Sequence, residues 1–421
     1  MSPRFLGSAV LLSWRNLTEN RLRLLSSVAG AAFAVTLMFV ESGFRDALLD
    51  SMTAVIRQLD GELVIISRRL YTLGIPMPFP SRRLDLPRGF DDVEKASPFY
   101  VETRRSRWRG PYIRPHTLDP RRAGRLPGDE DPSLPDSVKI SPPPHRIRVI
   151  AYRPEDDLLN IPAVREAVPK WNAPQVALVD LRSKAKIYGV IPRNQDAELA
   201  NRRIRVVGDF ELGTDFQNDG TLLMTEENFL DYFPERRGPT ASDRKIDVGV
   251  IRVSPGADIP RLRESIARIL PEDVLVMTRE EFVDKEKRFW GRVAPVGIVF
   301  NIGVVMGFVV GLAICYQVLF SDVADREAEF ATLKAVGHRN RWLSLVVVLQ
   351  GVFLAFLGFV VGVAVSQGIF IPLIEKATGL PLEFKPMGAL SILGLTVLMC
   401  TLSGLLAARR VQYADPAQLF R

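Results

Sequence analysis

The sequence predicts an integral membrane protein: four transmembrane α-helices, with one large extracytoplasmic α+β domain inserted between the first and second spans. Three observations carry this. The mean hydropathy is slightly positive, +0.09, although 24% of the 421 residues are charged, so the apolar residues must be gathered into blocks. Four blocks stand out, near Leu24–Phe44, Ala294–Phe320, Leu343–Ile371 and Gly388–Ala408, and each meets the ~20 apolar residues a helix needs to cross a bilayer. The polar stretch between the first two, about 250 residues, suffices for one or two compact domains.

Residues 1–23 are expected to form a cytoplasmic amphipathic entry helix, and 24–44 the first span. Ala29-Gly30-Ala31 and Ala32-Phe33-Ala34 resemble a signal cleavage site, but they fall in mid-run and the run outlasts a usual signal core, so it is taken as a retained anchor. The domain, 45–292, opens with Leu48, Met52, Val55, Ile56 and Leu59 at helical spacing. It closes with a second helix over 279–290, where Thr278 and Glu281 stand at capping-box spacing. The helices over 46–59 and 279–290 adjoin spans and are read as stalks; ordinary surface helices are the competing reading.

Between them lie β-like stretches at Glu62–Ser67, Arg146–Tyr152, Gln175–Asp180, Arg203–Gly208, Thr221–Thr225, Asp247–Val253 and Val274–Thr278. Val248–Val253, the helical Ile259–Leu270 and Val274–Met277 form a strand–helix–strand unit. Pro111–Pro144 holds nine prolines and few groups worth burying, which predicts a mobile loop. Arg104, Arg105, Arg107 and Arg109 around Trp108 are read as its solvated base, with a lipid or acidic partner as the alternative.

The remaining spans are placed at 293–320, 343–371 and 388–408, joined by a cytoplasmic segment 321–342 and a short outer loop 372–387, with a tail at 409–421. Lys and Arg near span ends decide the orientation. Arg4, Arg15, Arg21 and Arg23 precede the first span; Arg326, Lys334, Arg339 and Arg341 lie between the second and third; Arg409, Arg410 and Arg421 follow the last. The opposite side has only Lys376 and Lys385 in its short loop. Both termini are therefore expected in the cytoplasm and the large domain outside.

Several function classes are disfavoured. Cys315 and Cys400 both sit in apolar runs, so there is no disulfide framework. His116, His145 and His338 are scattered without a zinc spacing. The net charge of +7 clusters beside spans rather than in a nucleic-acid motif, as anchoring against anionic lipid would require. No P-loop motif occurs, so ATP is not expected to bind this chain. Ser183 and Lys184 are adjacent but point apart, and no G-x-S-x-G elbow accompanies them, so no catalytic residue is assigned. Within the spans Asn301, Gln317, Gln350 and Gln367 are polar but uncharged. Glu41, near the outer end of span 1, is read as reaching the interface, which leaves no intramembrane relay for ion coupling.

Two patterns point to movement. In Ser321–Trp342, Val323, Phe330, Leu333 and Val336 share a helical face while Asp325, Arg326, Glu329 and Lys334 decorate the rest, and Gly337 ends the helix. Such a helix suits a membrane surface or a groove on a cytoplasmic partner. Gly303, Gly307 and Gly311 in span 2, with Gly358 and Gly362 in span 3, let helices approach closely, either within one chain or between two copies.

At this point the chain resembles the FtsX/MacB superfamily of ABC transporter membrane subunits. Leu12-Ser13-Trp14-Arg15-Asn16-Leu17 with Arg21-Leu22-Arg23 is similar to its entry helix. The run from Arg326 through Glu329-Phe330-Ala331-Thr332-Leu333-Lys334-Ala335-Val336-Gly337 is similar to its coupling element, and Asp415-Pro416-Ala417 with Leu419-Phe420-Arg421 to its terminal motif. Ser321-Asp322-Val323, Arg146–Ala151 and Gly213-Thr214-Asp215-Phe216 resemble the DevC branch, relative to which Pro111–Pro144 is an insertion.

The resemblance implies a MacB-like periplasmic domain in a bacterial inner-membrane protein. It also implies a homodimer joined by two copies of a separate ATPase that binds the ATP, this chain holding no cofactor or metal. A periplasmic adaptor, an outer-membrane duct and export of glycolipid or another amphiphile are further implications. By residue, Phe330 and Leu333 would dock into the ATPase, Arg326, Glu329 and Lys334 would orient the contact, and Gly337 would turn the chain back to span 3. The alternative is an FtsX-like signal relay that activates a cell-wall hydrolase outside.

Overall fold

The structure, a computed structural model, describes residues 3–110, 144–188, 191, 194–293, 295–378 and 385–413. Most of the proline-rich stretch and the Asp415–Arg421 motif lie outside the described residues. The chain divides into two compact units, Met1–Ala47 with Gly291–Arg421, and Leu48–Trp290.

The first unit is helical. An entry helix (Pro3–Thr18) precedes span 1 (Arg21–Gln58), followed by span 2 (Pro295–Asp325), a junction helix (Glu327–Ala335), span 3 (Asn340–Val365) and span 4 (Pro386–Tyr413). Four helices are long and apolar enough to cross a membrane. Span 1 is not a 21-residue run with a separate stalk; its helix continues unbroken to Gln58. Span 3 is prolonged by a π turn at Ser366–Phe370 and by Ile371–Thr378.

The glycines set how these helices meet. A Cβ on Gly311 would stand 2.6 Å from that of Ala34, one on Gly307 3.2 Å from Met38 Cγ, and one on Gly303 2.7 Å from the Glu41 carboxyl carbon. Gly358 and Gly362 of span 3 meet span 1 in the same way, at Ala31 (2.5 Å) and Val35 (2.7 Å). Both glycine rows are therefore filled within the same chain, by span 1 and, at Gly311, also by Met399 of span 4, the first of the two readings the spacing allowed. Glu41, half-buried, lies over Gly303. Cys315 and Cys400 are buried free thiols with sulfurs 3.6 Å apart.

The second unit is built on one sheet. Its strands are β1 (Leu63–Ser67), β2 (Phe79–Pro80), β3 (Val93–Glu102), β4 (Arg107–Arg109), β5 (His145–Arg146), β6 (Arg148–Tyr152), β7 (Val176–Asp180), β8 (Asp196–Leu199), β9 (Arg202–Phe210), β10 (Thr221–Thr225), β11 (Lys245–Ile246), β12 (Val248–Val253) and β13 (Val274–Thr278). Eleven of them run in the order β13-β1-β12-β3-β6-β10-β7-β9-β8-β4-β5, and β2 pairs with β11. The β6–β10 and β7–β9 pairs are parallel.

Both faces of the central strands are covered. Leu63, Ile65, Val149 and Leu222 join one apolar cluster; Val64, Ile66, Ile150 and Leu223 join the other. That is why these strands are continuous apolar runs and do not alternate. Sequence reasoning missed β3, whose central stretch carries Pro98 opposite Gly249. It also missed the short polar strands β4 and β8.

The strand–helix–strand unit is present with one refinement. β12 and β13 do not touch; β1 lies between them, antiparallel to both. Leu63 pairs with Thr278 and Ser67 with Val274. At the Leu63 end Arg279 donates its N–H to Glu62 O (3.0 Å) and its guanidinium to Leu59 O (2.9 Å). Helix Arg279–Arg288 starts there with the Thr278–Glu281 capping box in place.

Inside the domain Arg236 is buried against Asp247 (3.1 Å), Glu102 (3.5 Å) and Val101 O (3.0 Å). Burial pushes the Asp247 carboxyl up to about 6 although Arg236 pulls it the other way.

Candidate coupling site

The junction helix is the place where residues of interest converge. Span 2 runs on as helix through Asp325, and Arg326 (φ −104°, ψ 16°) breaks it before Glu327–Ala335 begins. The helical face inferred from Val323 to Val336 therefore belongs to two helices whose phase restarts at Arg326. Val323 is buried on the first; Val336 is 76% exposed at the end of the second.

The end of the junction helix is a Schellman turn. Gly337 has φ +106°, its N–H reaches Lys334 O (3.1 Å), and the N–H of His338 reaches Leu333 O (3.1 Å). This is the left-handed residue after the last turn with both of the motif's hydrogen bonds. It fixes the angle at which the chain departs for Asn340, and His338 then stacks on Trp342 (4.2 Å).

The expected docking residues divide. Phe330, 2% exposed, is enclosed by the chain itself, in one cluster with Leu319, Val323, Trp342, Leu343 and Val346. A side chain buried there is not available to another protein, so Phe330 is corrected from a docking residue to an anchor of the junction. Leu333 is half-buried against the same cluster, and Lys334 is half-buried. The exposed strip consists of Ala328, Glu329, Thr332, Ala335 and Val336. Sequence reasoning missed Val336 as its accessible apolar group; the signal was its distance of six residues from Phe330, about 120° round one helix.

Arg326 is likewise not a surface group, being 8% exposed. It donates to Glu19 (2.6 Å) and to Asn16 O (2.9 Å) of the entry segment, and it lies 3.5 Å from Asp322 and 3.6 Å from Glu329. Asp322 is shared with Arg23 at the start of span 1 (3.4 Å), which also pairs with Asp325. Burial, the largest influence on Arg326, opposes its charge, yet the Glu19 hydrogen bond and the charges of Asp322, Glu19 and Glu329 raise its pKa above the ordinary arginine value. The entry helix is tied in further by Ser13 Oγ, 2.9 Å from Val346 O of span 3. Four helices thus meet at one polar joint beside the exposed strip. Arg326 orients the junction helix from within rather than a partner from outside, while Glu329 stays on the exposed strip.

Among the described residues no group of His, Cys, Asp and Glu is gathered to hold a metal. What the arrangement offers is an exposed short helix on a rigid turn, joined to three longer helices.

Four helices long and apolar enough to cross a membrane, with a large sheet domain inserted in the chain after the first, are the layout of a membrane protein. Residues 301–416 match the family model described as FtsX-like permease C-terminal, a match consistent with the FtsX/MacB superfamily and with the membrane subunits of ABC transporters. No curated protein matches the chain in sequence. Among solved structures it is similar to the periplasmic region of MacB from Actinobacillus actinomycetemcomitans, with TM-score 0.32 and 12% identity over 54% of this chain and 94% of that one. It is also similar to the extracellular domain of the noncanonic ABC-type transporter YknZ from Gram-positive bacteria, with TM-score 0.32 and 11% identity over 52% of this chain and 98% of that one.

Proposed function

We propose that the chain is the permease subunit of an ABC-type exporter in a bacterial inner membrane, with both termini cytoplasmic and the sheet domain periplasmic. Two copies work with two copies of a separate ATPase chain, which binds and hydrolyses the ATP. The observation that carries this reading is the exposed strip Ala328–Val336, closed by the Gly337 turn, inside the stretch matched to the FtsX-like permease family.

ATP binding closes the ATPase pair; the junction helix takes up that displacement; the Arg326 joint hands it to the entry helix and to spans 1 and 2. The periplasmic domain then moves its cargo without a passage through the bilayer. A lipid, glycolipid or other amphiphile, received with a periplasmic adaptor and passed towards an outer-membrane duct, is the cargo class suggested by the DevC-like segments Arg146–Ala151 and Gly213–Phe216.

The test is affinity purification of the tagged protein in mild detergent, identification of the chains that accompany it, and an ATPase assay on the complex. An ATPase with a periplasmic adaptor is the expected result. An ATPase with a wall hydrolase would replace export by signal relay, and a folded preparation with no ATPase would overturn the reading.

A further inference from the structure

Span 3 starts directly after the Gly337 turn, and its first turns line a cleft of about 550 Å3 with Leu405 of span 4. The lining is Asn340, Arg341, Ser344, Leu345, Val348 and Leu405. One end is polar and cationic. Asn340 and Arg341 are exposed, and neither side chain has a partner among the described residues. The Ser344 hydroxyl is buried and makes no hydrogen bond, although a helical serine commonly reaches back to the carbonyl four residues earlier.

The other end is aliphatic, with Leu345 and Val348 half-buried and Leu405 50% exposed. Beside the cleft the two helices touch through Gly404, where a Cβ would stand 3.1 Å from Val348 Cα. Arg409, also exposed, follows Leu405 by one turn.

We infer that this cleft is a binding site for an anionic phospholipid. Its phosphate lies on the Arg341 guanidinium and accepts from Asn340 and, once the serine side chain turns towards the cleft, from Ser344 Oγ, while one acyl chain follows Leu345, Val348 and Leu405. A buried hydroxyl left unpaired is destabilising, and a phosphate oxygen removes that cost while forming a charge-assisted pair with arginine. The apolar wall begins one turn beyond the cation, as the border between headgroup and acyl chain requires. A zwitterionic lipid brings the same phosphate but sets its ammonium against Arg341, with Arg409 a turn beyond Leu405, so the site selects net negative charge. Basic clefts between spans are a recurrent form of such recognition, and the volume falls within that of ligand sites. Occupancy would bear on the first turn of span 3, next to the junction helix.

The test uses the full chain, delipidated in dodecyl maltoside and returned to dioleoylphosphatidylglycerol or dioleoylphosphatidylcholine, with bound lipid counted by native mass spectrometry. The wild type is expected to prefer phosphatidylglycerol. Arg341→Ala should weaken that binding about tenfold, the worth of a hydrogen bond to a charged group, Arg341→Lys should restore much of it, and Ser344→Ala should cost a smaller factor. Arg261→Ala, on the sheet domain, should change nothing, and millimolar inorganic phosphate should displace no lipid. Equal binding of the two lipids, an Arg341→Ala protein that binds as the wild type does, or displacement by phosphate alone would each overturn the proposal. Should Arg341→Ala fail to fold, Ser344→Ala and Leu405→Trp decide, since each must then bind phosphatidylglycerol measurably more weakly than the wild type.

Discussion

Phe330 and Val336 stand two turns apart in sequence and on opposite sides of the molecule's surface, which makes them a sharp test of the coupling site. Val336 is 76% exposed, so replacing it with Ala or Asp should leave stability within the ~0.5 kcal/mol of ordinary surface changes. Burying a valine fully is worth about 1.5–3 kcal/mol; with roughly three quarters of the side chain still to be covered, docking into an apolar groove would gain about 1–2 kcal/mol. Val336→Ala should then weaken the ATPase complex roughly 5–30-fold. Val336→Asp should abolish it, because the carboxylate must also be desolvated. Phe330→Ala should do the reverse. It empties a space among Val323, Trp342 and Leu343 and should cost about 3–5 kcal/mol of fold stability. Thermal unfolding of each purified variant, beside ATPase recovery and stimulated hydrolysis, separates the two effects. A folded Val336→Asp protein that keeps full recovery and stimulation would refute the assignment of the exposed strip.

Three further outcomes are expected. Arg326→Ala removes the ties to Glu19 and Asn16 and leaves buried Asp322 with Arg23 alone; discounting exposed Glu19, about 2 kcal/mol of the 3–5 typical for a broken buried pair is lost, and tryptic cleavage near Arg15 and Arg21 should rise severalfold. Gly311→Leu forces a side chain into Ala34 and should cost 1–3 kcal/mol or more, seen as lost monodisperse yield, whereas Gly368→Leu, with nothing within 4 Å of its Cβ, should be tolerated. For Asp247 the folded pKa, about 6, exceeds the ordinary 3.8. The folded state therefore holds more protons than the unfolded one between those values. This group's stabilising contribution is full below about pH 4 and lost as pH rises through about 6; Asp247→Asn should remove that part of the slope in unfolding curves of the full chain.

How much was legible follows from which forces act locally. The spans were legible because bilayer thickness imposes their length on the sequence, and the capping box and Gly337 turn because each is settled by a few adjacent residues. Strand β3 was not, because Pro98 ordinarily argues against a central strand and only its neighbours β12 and β6 show how it is accommodated. The glycine rows announced close packing but not the partner, since Ala31, Ala34 and Val35 lie some 270–330 positions away in sequence. Val323 was assigned to one face with Phe330 because the spacing was counted across Arg326, and Val336 was added although six residues set it about 120° from Phe330 round one helix. The functions of Arg326 and Phe330 then had to be exchanged from outside to inside, since a sequence shows that a residue is polar or apolar, not which side has already been filled.

The clasp between β1 and β13 has a mechanical consequence. The chain enters β1 just before Leu63 and leaves β13 just after Thr278, and these two residues face each other, so both tethers pull on the same end of one ladder. Opposed forces would unzip that ladder one pair at a time, the weakest way to load antiparallel strands, and the Arg279 bonds to Leu59 and Glu62 sit at the mouth where opening would begin. Forces in the same direction load no pair and carry the sheet as a rigid body. Tethers that move in step therefore leave every pair of this ladder unloaded, and tethers that part load Leu63 and Thr278 first.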